Sequence, residues 1–224
     1  QRFFHVRQMH VLTRSRLLTL PLSLTHTHTR TTTHLSGNFC LGSATYGGIY
    51  NVLMEDCEIG NDEGSSPWAF KYKSHQNYAG ALVNHTYRRI KVGKIAPNSY
   101  QQPNGGYFIS IELRYHSLIP NRTCHVNYND NSGDCPVFNN VTFEDIHATG
   151  AARAGDIAGF KGDLLRGLTF RNVTFATKPA KGWTCGYVDV ATFKATQMSL
   201  PLKCSEGPAI ASGEVPIATQ ETLH

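Results

Sequence analysis

Short apolar segments recur along the chain in one spacing: apolar, any, apolar, any, any, apolar. The copies begin at Val52, Ile90, Val141 and Leu168, with a weaker fifth copy at Val188. Each copy is too short for a helix and shows the alternation of a strand followed by a bend. A unit of this kind buries its apolar side chains only by stacking on its neighbours, so the pattern predicts a stacked parallel β-solenoid.

Alternating segments between these copies predict further strands at Phe39–Leu41, Trp68–Lys73 and 107–115. Successive side chains of a strand point to opposite faces, so each segment has one apolar and one polar face. Stacking the last two strands in register places apolar residues on apolar residues. The predicted pairs are Phe70 with Ile109, Lys71 with Ser110, Tyr72 with Ile111, and Lys73 with Glu112.

The pattern is absent from both ends of the chain. Residues 1–34 contain no Gly, Asp, Glu or Lys and end in a Thr/His run, so we expect a disordered segment outside the fold. Translated non-coding DNA and a transit peptide both account for this composition, whereas a secretory signal fits it poorly. Residues 35–204 are predicted to form a partial solenoid domain that lacks an N-terminal cap. Residues 205–224 are predicted to be a mobile tail.

The net charge of +5 comes from the N-terminal segment. Residues 1–34 contain five arginines and no acid, and basic and acidic residues are equal in number over 35–224. The predicted fold therefore has no basic excess that would attract nucleic acid. No apolar run approaches the ~18 residues of a membrane span. Neither nucleic acid nor a membrane is expected as a partner.

Six cysteines allow fifteen pairings. Pairing between neighbours is the simplest prediction and gives Cys124–Cys135 and Cys185–Cys204. Cys57 falls at an inward position, where it could also be a core thiol. An even cysteine count together with several glycosylation sequons favours a secretory route. The sequon asparagines are Asn84, Asn121, Asn140 and Asn172.

The order of motifs from Gly37 to Lys73 is specific. It reads Gly37-Asn38-Phe39-Cys40-Leu41-Gly42-Ser43, then Gly47-Gly48, Asn51-Val52, Asp56-Cys57 and Lys71-Tyr72-Lys73. This order resembles the pectin-degrading polygalacturonases of glycoside hydrolase family 28. The resemblance extends over about Ser36 to Cys204 and implies a right-handed parallel β-helix, secreted or in a cell wall. It also implies inverting hydrolysis of polygalacturonate without a metal or cofactor, by a protein that is a monomer at full length.

The catalytic acids of that family lie upstream of the segment that Gly37 begins. In this chain no carboxylate precedes Glu55. The family's histidine aligns with Gly37 or Asn38, and neither side chain can transfer a proton. The resemblance therefore implies the C-terminal portion of the enzyme, with the catalytic residues unknown and the chain alone expected to be inactive.

The substrate-binding side of the family has counterparts here. Lys71 and Lys73 occupy its Arg and Lys positions, where cations would meet uronate carboxylates. Tyr115 corresponds to its substrate-site tyrosine. The alternative for the lysines is an ordinary ion pair between Lys73 and Glu112 on a solvated face, worth at most about 1 kcal/mol.

Two other functions remain open. A polyuronate lyase would use Lys71 or Lys73 as its base, commonly with calcium, although no acidic calcium cluster is apparent. A non-catalytic carbohydrate-binding or structural solenoid would need no such chemistry. Asp156 and Asp163 are predicted to form turns. The remaining candidates are interpreted as satisfied surface or loop histidines without metal-ligand spacing: His75, His85, His116, His125 and His147.

Overall fold

The computed structural model describes most of the predicted domain and a short N-terminal strand. Most of the described residues lie in β-strands, with a 3₁₀-helix at Val190–Thr192. The predicted all-β class is therefore confirmed. The described residues are 8–12, 39–42, 45–60, 67–96, 106–113, 123–160 and 163–203.

Most strands belong to two sheets, and the chain moves from one sheet to the other at nearly every step. The six-stranded sheet has the order β1-β3-β5-β9-β11-β13, and the five-stranded sheet β12-β10-β6-β4-β2. The strands are β1 (Gln8–Leu12), β2 (Phe39–Leu41), β3 (Ile49–Ile59), β4 (Trp68–Lys73), β5 (Ala81–Ile95), β6 (Tyr107–Glu112), β7 (Val126–Asn127), β8 (Ser132–Gly133), β9 (Val137–Ala151), β10 (Arg153–Ala158), β11 (Leu168–Thr177), β12 (Lys181–Gly186) and β13 (Lys194–Thr196).

Pairing within both large sheets is parallel, apart from the β1–β3 pair. The strands predicted at Phe39–Leu41 and Trp68–Lys73 have those bounds. The predicted β4–β6 register is also confirmed, with Lys71 opposite Ser110 and Lys73 opposite Glu112. The parallel sheets therefore place the lysines on the side of the sheet that the alternation predicts.

The apolar copies do not align throughout. Val141 and Leu168 are register partners as predicted, but Ile90 pairs with Cys57 and Ile146. The residue opposite Val141 on β5 is His85, so the second copy was placed five residues too late. His85 is polar, so the spacing of apolar residues did not indicate this position.

The fifth copy is misplaced in the opposite direction, five residues too early. β13 pairs Ala195 with Phe170, which places Phe193 rather than Val188 beside Leu168. Val190 belongs to the 3₁₀-helix instead of a strand. The prediction of a strand beginning at Val188 was therefore wrong.

Two rows of left-handed residues bend the long strands of the six-stranded sheet. Only glycine and, to a lesser degree, Asn and Asp adopt this conformation at low cost. The amide side chains also hydrogen-bond along the first row, from Asn140 Nδ2 to Asn84 Oδ1 (2.8 Å) and from Asn84 Nδ2 to Asn51 Oδ1 (3.2 Å). The first row is Asn51, Asn84, Asn140 and Gly167; the second is Asp56, Arg89, Asp145, Asn172 and Gln197.

These bends explain part of the sequon pattern. Asn84, Asn140 and Asn172 all have positive φ, and their side-chain amides hydrogen-bond within the rows. The backbone therefore favours asparagine at these three positions, independent of glycosylation. Asn121 lies outside the described residues.

The core lies between the two large sheets. Tyr87, Phe143 and Phe170 stack on successive strands of the six-stranded sheet, with ring centroids 4.9 and 5.4 Å apart. Phe70 of β4 meets Tyr87 and Phe143 from the other sheet, at 5.2 Å from each. These aromatic contacts join the two sheets over several strands.

A polar network crosses this core. His85 Nε2 donates to the Ile49 carbonyl (2.9 Å), and its Nδ1 accepts a hydrogen bond from Tyr72 (2.9 Å). The Tyr72 and Tyr87 hydroxyls are 2.6 Å apart. Burial lowers the pKa of His85 to about 4. The expectation of a surface or loop position for His85 was wrong, because both ring nitrogens find partners inside the protein.

Most of the two predicted terminal segments lies outside the described residues. Within 1–34 the structure describes Gln8–Leu12, which pairs antiparallel with β3. Residues 204–224 are outside the described part. The proposed domain boundaries therefore stay predictions. Among the described residues, no helix has the length and apolarity needed to cross a membrane.

Candidate functional site

The outer side of the five-stranded sheet carries the candidate site, which we call the cationic face. Phe70 and Tyr72 of β4 are fully buried, and the intervening Lys71 projects from the other side of the strand. Parallel pairing brings one residue of each strand into a central row. That row is Cys40, Lys71, Ser110, Asp156 and Thr184.

Lys71 is held firmly in the middle of this face. Its Nζ lies 3.1 Å from Glu112 Oε2 and 4.3 Å from the centroid of the Trp68 ring. The residue is only 7% exposed. A carboxylate and an aromatic ring therefore compensate its charge and orient the side chain, while leaving little of the ammonium group in contact with solvent.

Lys73 is the more exposed of the two predicted lysines. It is opposite Glu112 in register, as predicted, and the Glu112 carboxylate forms its ion pair diagonally with Lys71. Gly42 packs against the Lys73 backbone so closely that a Cβ would lie 1.7 Å from the carbonyl oxygen. With φ of +112°, this position requires glycine. Gly42 therefore allows the backbone at Lys73 to pack closely against the chain at the end of β2.

The first residues of β4, β6, β10 and β12 form a second row, which the sequence analysis did not predict. It contains Trp68, Tyr107, Arg153 and Lys181 in register. The Arg153 guanidinium lies 5.1 Å from the Tyr107 ring centroid. The contact between Lys71 and the Trp68 ring joins this row to the central row. Arg153 and Lys181 begin strands that the sequence did not predict, so no local signal indicated this alignment.

Cys40 is a thiol close to Lys71 and Lys73. Burial raises its pKa, against the opposing influence of Lys73 and Lys71. The nucleophilic form of cysteine is the thiolate, which this environment disfavours. Cys40 is therefore a neutral member of the row.

Asp156 and Asp163, both predicted to form turns, lie in different settings. Asp156 is in β10 opposite Ser110, so its assignment to a turn was wrong. Asp163 closes a tight loop through two backbone hydrogen bonds with Phe160 and is 3% exposed. Burial raises the pKa of Asp163 to about 6. Asp156 thus joins the cationic face, whereas Asp163 is a buried carboxyl group.

Several predicted site residues cannot be placed on this face. Tyr115, Gly37 and Asn38 lie outside the described residues, and so does His116. Their roles therefore stay predictions.

Among the described residues, one group of side chains has atoms close enough together to bind a metal ion, and it includes a disulfide. Cys124, Asp134 and Cys135 have such atoms within 4.8 Å of one another. The two cysteines form the predicted disulfide, with an S–S distance of 2.01 Å, so neither is available as a thiolate ligand. Cys185 is also disulfide-bonded, and its predicted partner Cys204 lies outside the described residues.

Comparisons with protein-family profiles, with curated proteins and with solved structures found no significant match. The fold and the face define an all-β protein with stacked parallel strands and a cationic, partly aromatic outer surface. Its function is argued from that surface.

Proposed function

We propose that this chain is a right-handed parallel β-helix that binds a polyuronate, a polymer of sugar acids such as pectin, on the cationic face. The alternation of the chain between two parallel sheets supports the helix. In such a coil each strand pairs with its counterpart one turn earlier, which is the pairing seen from β2 to β13 outside the β7–β8 hairpin.

The observation that carries the proposal is the alignment of cations and rings across successive strands. Lys71 adjoins Trp68, and Arg153 adjoins Tyr107, two strands further along the sheet. A uronate unit combines a carboxylate with the apolar C–H face of a sugar ring. Cations match the first and aromatic rings the second, so the face offers repeated complementarity to such a polymer.

The resemblance to polygalacturonases supports the same substrate class and adds hydrolysis as a proposal. The residues here that match that family include the binding lysines, and no carboxylate precedes Glu55. We infer that these 224 residues bind without cleaving, and that inverting hydrolysis requires the family's upstream acids. Secretion is part of the proposal, supported by the Cys124–Cys135 disulfide.

A lyase reaction is favoured less by this geometry. A lyase would need Lys71 or Lys73 to accept a proton from the substrate. Lys71 Nζ already donates to Glu112 and lies over Trp68. Formation of an unsaturated product that absorbs in the ultraviolet would indicate the lyase instead.

Isothermal titration with oligogalacturonates tests the proposal. We expect Lys73→Ala to weaken binding about tenfold, because a charged contact to a carboxylate contributes roughly 1.5 kcal/mol or more. Lys94→Ala is the matched control, because Lys94 is exposed on the other sheet. Binding should also weaken as salt is added. Equal affinity for a neutral oligosaccharide, or no binding by the unaltered chain, would refute the proposal.

A further inference from the structure

Three rings lie side by side where two turns meet beyond β2 and β4; we call Tyr46, His75 and Tyr78 the aromatic platform. The Tyr46 and Tyr78 ring centroids are 3.9 Å apart, and those of Tyr78 and His75 4.6 Å. Tyr46 is 66% exposed and is the large hydrophobic side chain that the described residues leave in solvent. Adjacent rings exposed in this way form a small apolar patch suited to a ligand.

The platform is built on two turns that are locked together. A backbone hydrogen bond closes each of the turns 45–48 and 75–78, at 2.9 and 3.0 Å. The hydroxyls of Thr45 and Ser74 are 2.5 Å apart. Gly80 packs against the Thr45 carbonyl with no room for a Cβ. The turns that carry the rings are therefore held together before any ligand arrives, which reduces the entropy cost of binding.

A buried side chain anchors the second turn to the disulfide. Gln76 is 3% exposed, and its Nε2 lies 3.8 Å from Cys124 Sγ. Cys124 is bonded to Cys135. The turn that carries His75 and Tyr78 is thus hydrogen-bonded to a disulfide-linked cysteine, and Ser74 beside it contacts Thr45.

The platform continues directly from the cationic face. Ser74 follows Lys73 in the chain, and its backbone N–H donates to the Glu112 carbonyl at 3.1 Å. Gly42, at the end of β2, contacts Lys73 and leads into the turn that carries Tyr46. The platform therefore begins two residues beyond Lys73 in the chain.

We propose that the aromatic platform is an additional sugar subsite, which stacks one pyranose ring of the polyuronate chain bound on the cationic face. This inference rests on the proposed function. The C–H groups of a pyranose ring present an apolar surface of about the size of one aromatic ring. A protein partner would need roughly 1,000 Å² of complementary surface, far more than three rings bordered by polar turns provide.

Titration with oligogalacturonates of increasing length tests the subsite. We expect the affinity of the unaltered chain to rise at the length that first reaches the platform. Tyr46→Ala should remove this rise, weakening the longer oligomers about fivefold to tenfold and leaving the shortest unchanged. Tyr46→Phe keeps the ring and is the matched control, with an affinity expected within about twofold of the original. Thermal unfolding of both variants verifies that they are folded.

The outcomes separate the two proposals. No binding of any oligomer by the unaltered chain refutes both. Binding that Tyr46→Ala leaves unchanged at every length refutes the subsite and leaves the cationic face standing. Equal weakening at every length also refutes the subsite, because a peripheral ring would contact only the longer ligands.

Discussion

Asp163 is a carboxyl group with little access to water. It hydrogen-bonds the Tyr128 hydroxyl, which also lies 2.7 Å from the Leu164 carbonyl. The Arg166 guanidinium stacks 4.1 Å from the Tyr128 ring centroid and ion-pairs with Asp189 at 3.2 Å. Burial raises the pKa of Asp163 to about 6, against the opposing effects of the Tyr128 hydrogen bond and Arg166. Ionising this carboxyl therefore destabilises the fold.

Replacing Asp163 by asparagine should stabilise the protein at neutral pH. The folded pKa of about 6 exceeds the ordinary 3.8, so stability is full below 3.8 and is lost as pH rises through 6. Asparagine cannot ionise and avoids this loss. We expect Asp163→Asn to exceed the original protein in unfolding free energy by about 1–3 kcal/mol at about pH 8.

Urea denaturation of both proteins at about pH 8 and about pH 4 measures the effect, and the stability gain of the variant should shrink by the same 1–3 kcal/mol at the lower pH. Comparing the two proteins at each pH cancels other groups, including His85, whose lowered pKa acts in the opposite direction. A gain that is the same at both pH values would contradict the prediction.

Among the elements, the long strands of the six-stranded sheet depend on their bends. Asn140 bends β9 with a φ of 54°, and its amide donates to Asn84 at 2.8 Å. Directly before β11 the register-equivalent residue is Gly167, with a φ of 63°. The same bend is thus made once by an asparagine with side-chain hydrogen bonds and once by a glycine without a side chain.

Substitutions at Asn140 should separate these two contributions. Asn140→Gly keeps the bend and loses the amide hydrogen bond, with a cost of about 1–2 kcal/mol. Asn140→Ala loses the hydrogen bond and adds the strain of a left-handed alanine, so it should be less stable than the glycine variant by about 1 kcal/mol. Chemical denaturation of the three proteins gives this order. An alanine variant as stable as the glycine variant would show that the bend carries no strain.

At the scale of the whole molecule, the two sheets end differently. In the six-stranded sheet β1 pairs with β3, whereas the five-stranded sheet ends at β2 in the described part of the chain. β2 is three residues long, and an edge strand can pair with another chain. β2 is therefore the edge at which we expect self-association.

We expect the chain to self-associate through β2 as its concentration rises. Sedimentation velocity should show a shift from monomer to larger species. Cys40→Ser should still associate, which excludes intermolecular disulfides as the cause, whereas Cys40→Lys should associate less because an edge charge opposes pairing. A monomer at every concentration would contradict the proposal.

The sequence by itself determined the strand class, the bounds of β2 and β4, the β4–β6 register and the Cys124–Cys135 disulfide. Alternation along one strand decides which side chains are buried. Two paired strands bury their apolar side chains on the same face of the sheet only if apolar positions pair with apolar positions. A register shifted by one residue would move the apolar side chains of one strand to the opposite face. These features depend on residues close together in the chain or on one matching pattern.

Only the tertiary structure decided the place of His85, the row from Trp68 to Lys181 and the aromatic platform. A histidine occupies a buried column because Tyr72 and the Ile49 carbonyl satisfy its nitrogens, and neither partner is its neighbour in sequence. Loops of unequal length separate the strands, so residues that share a row have no constant spacing along the chain. Contacts across strands follow from the pairing register of the whole sheet, which exists only once the strands have assembled.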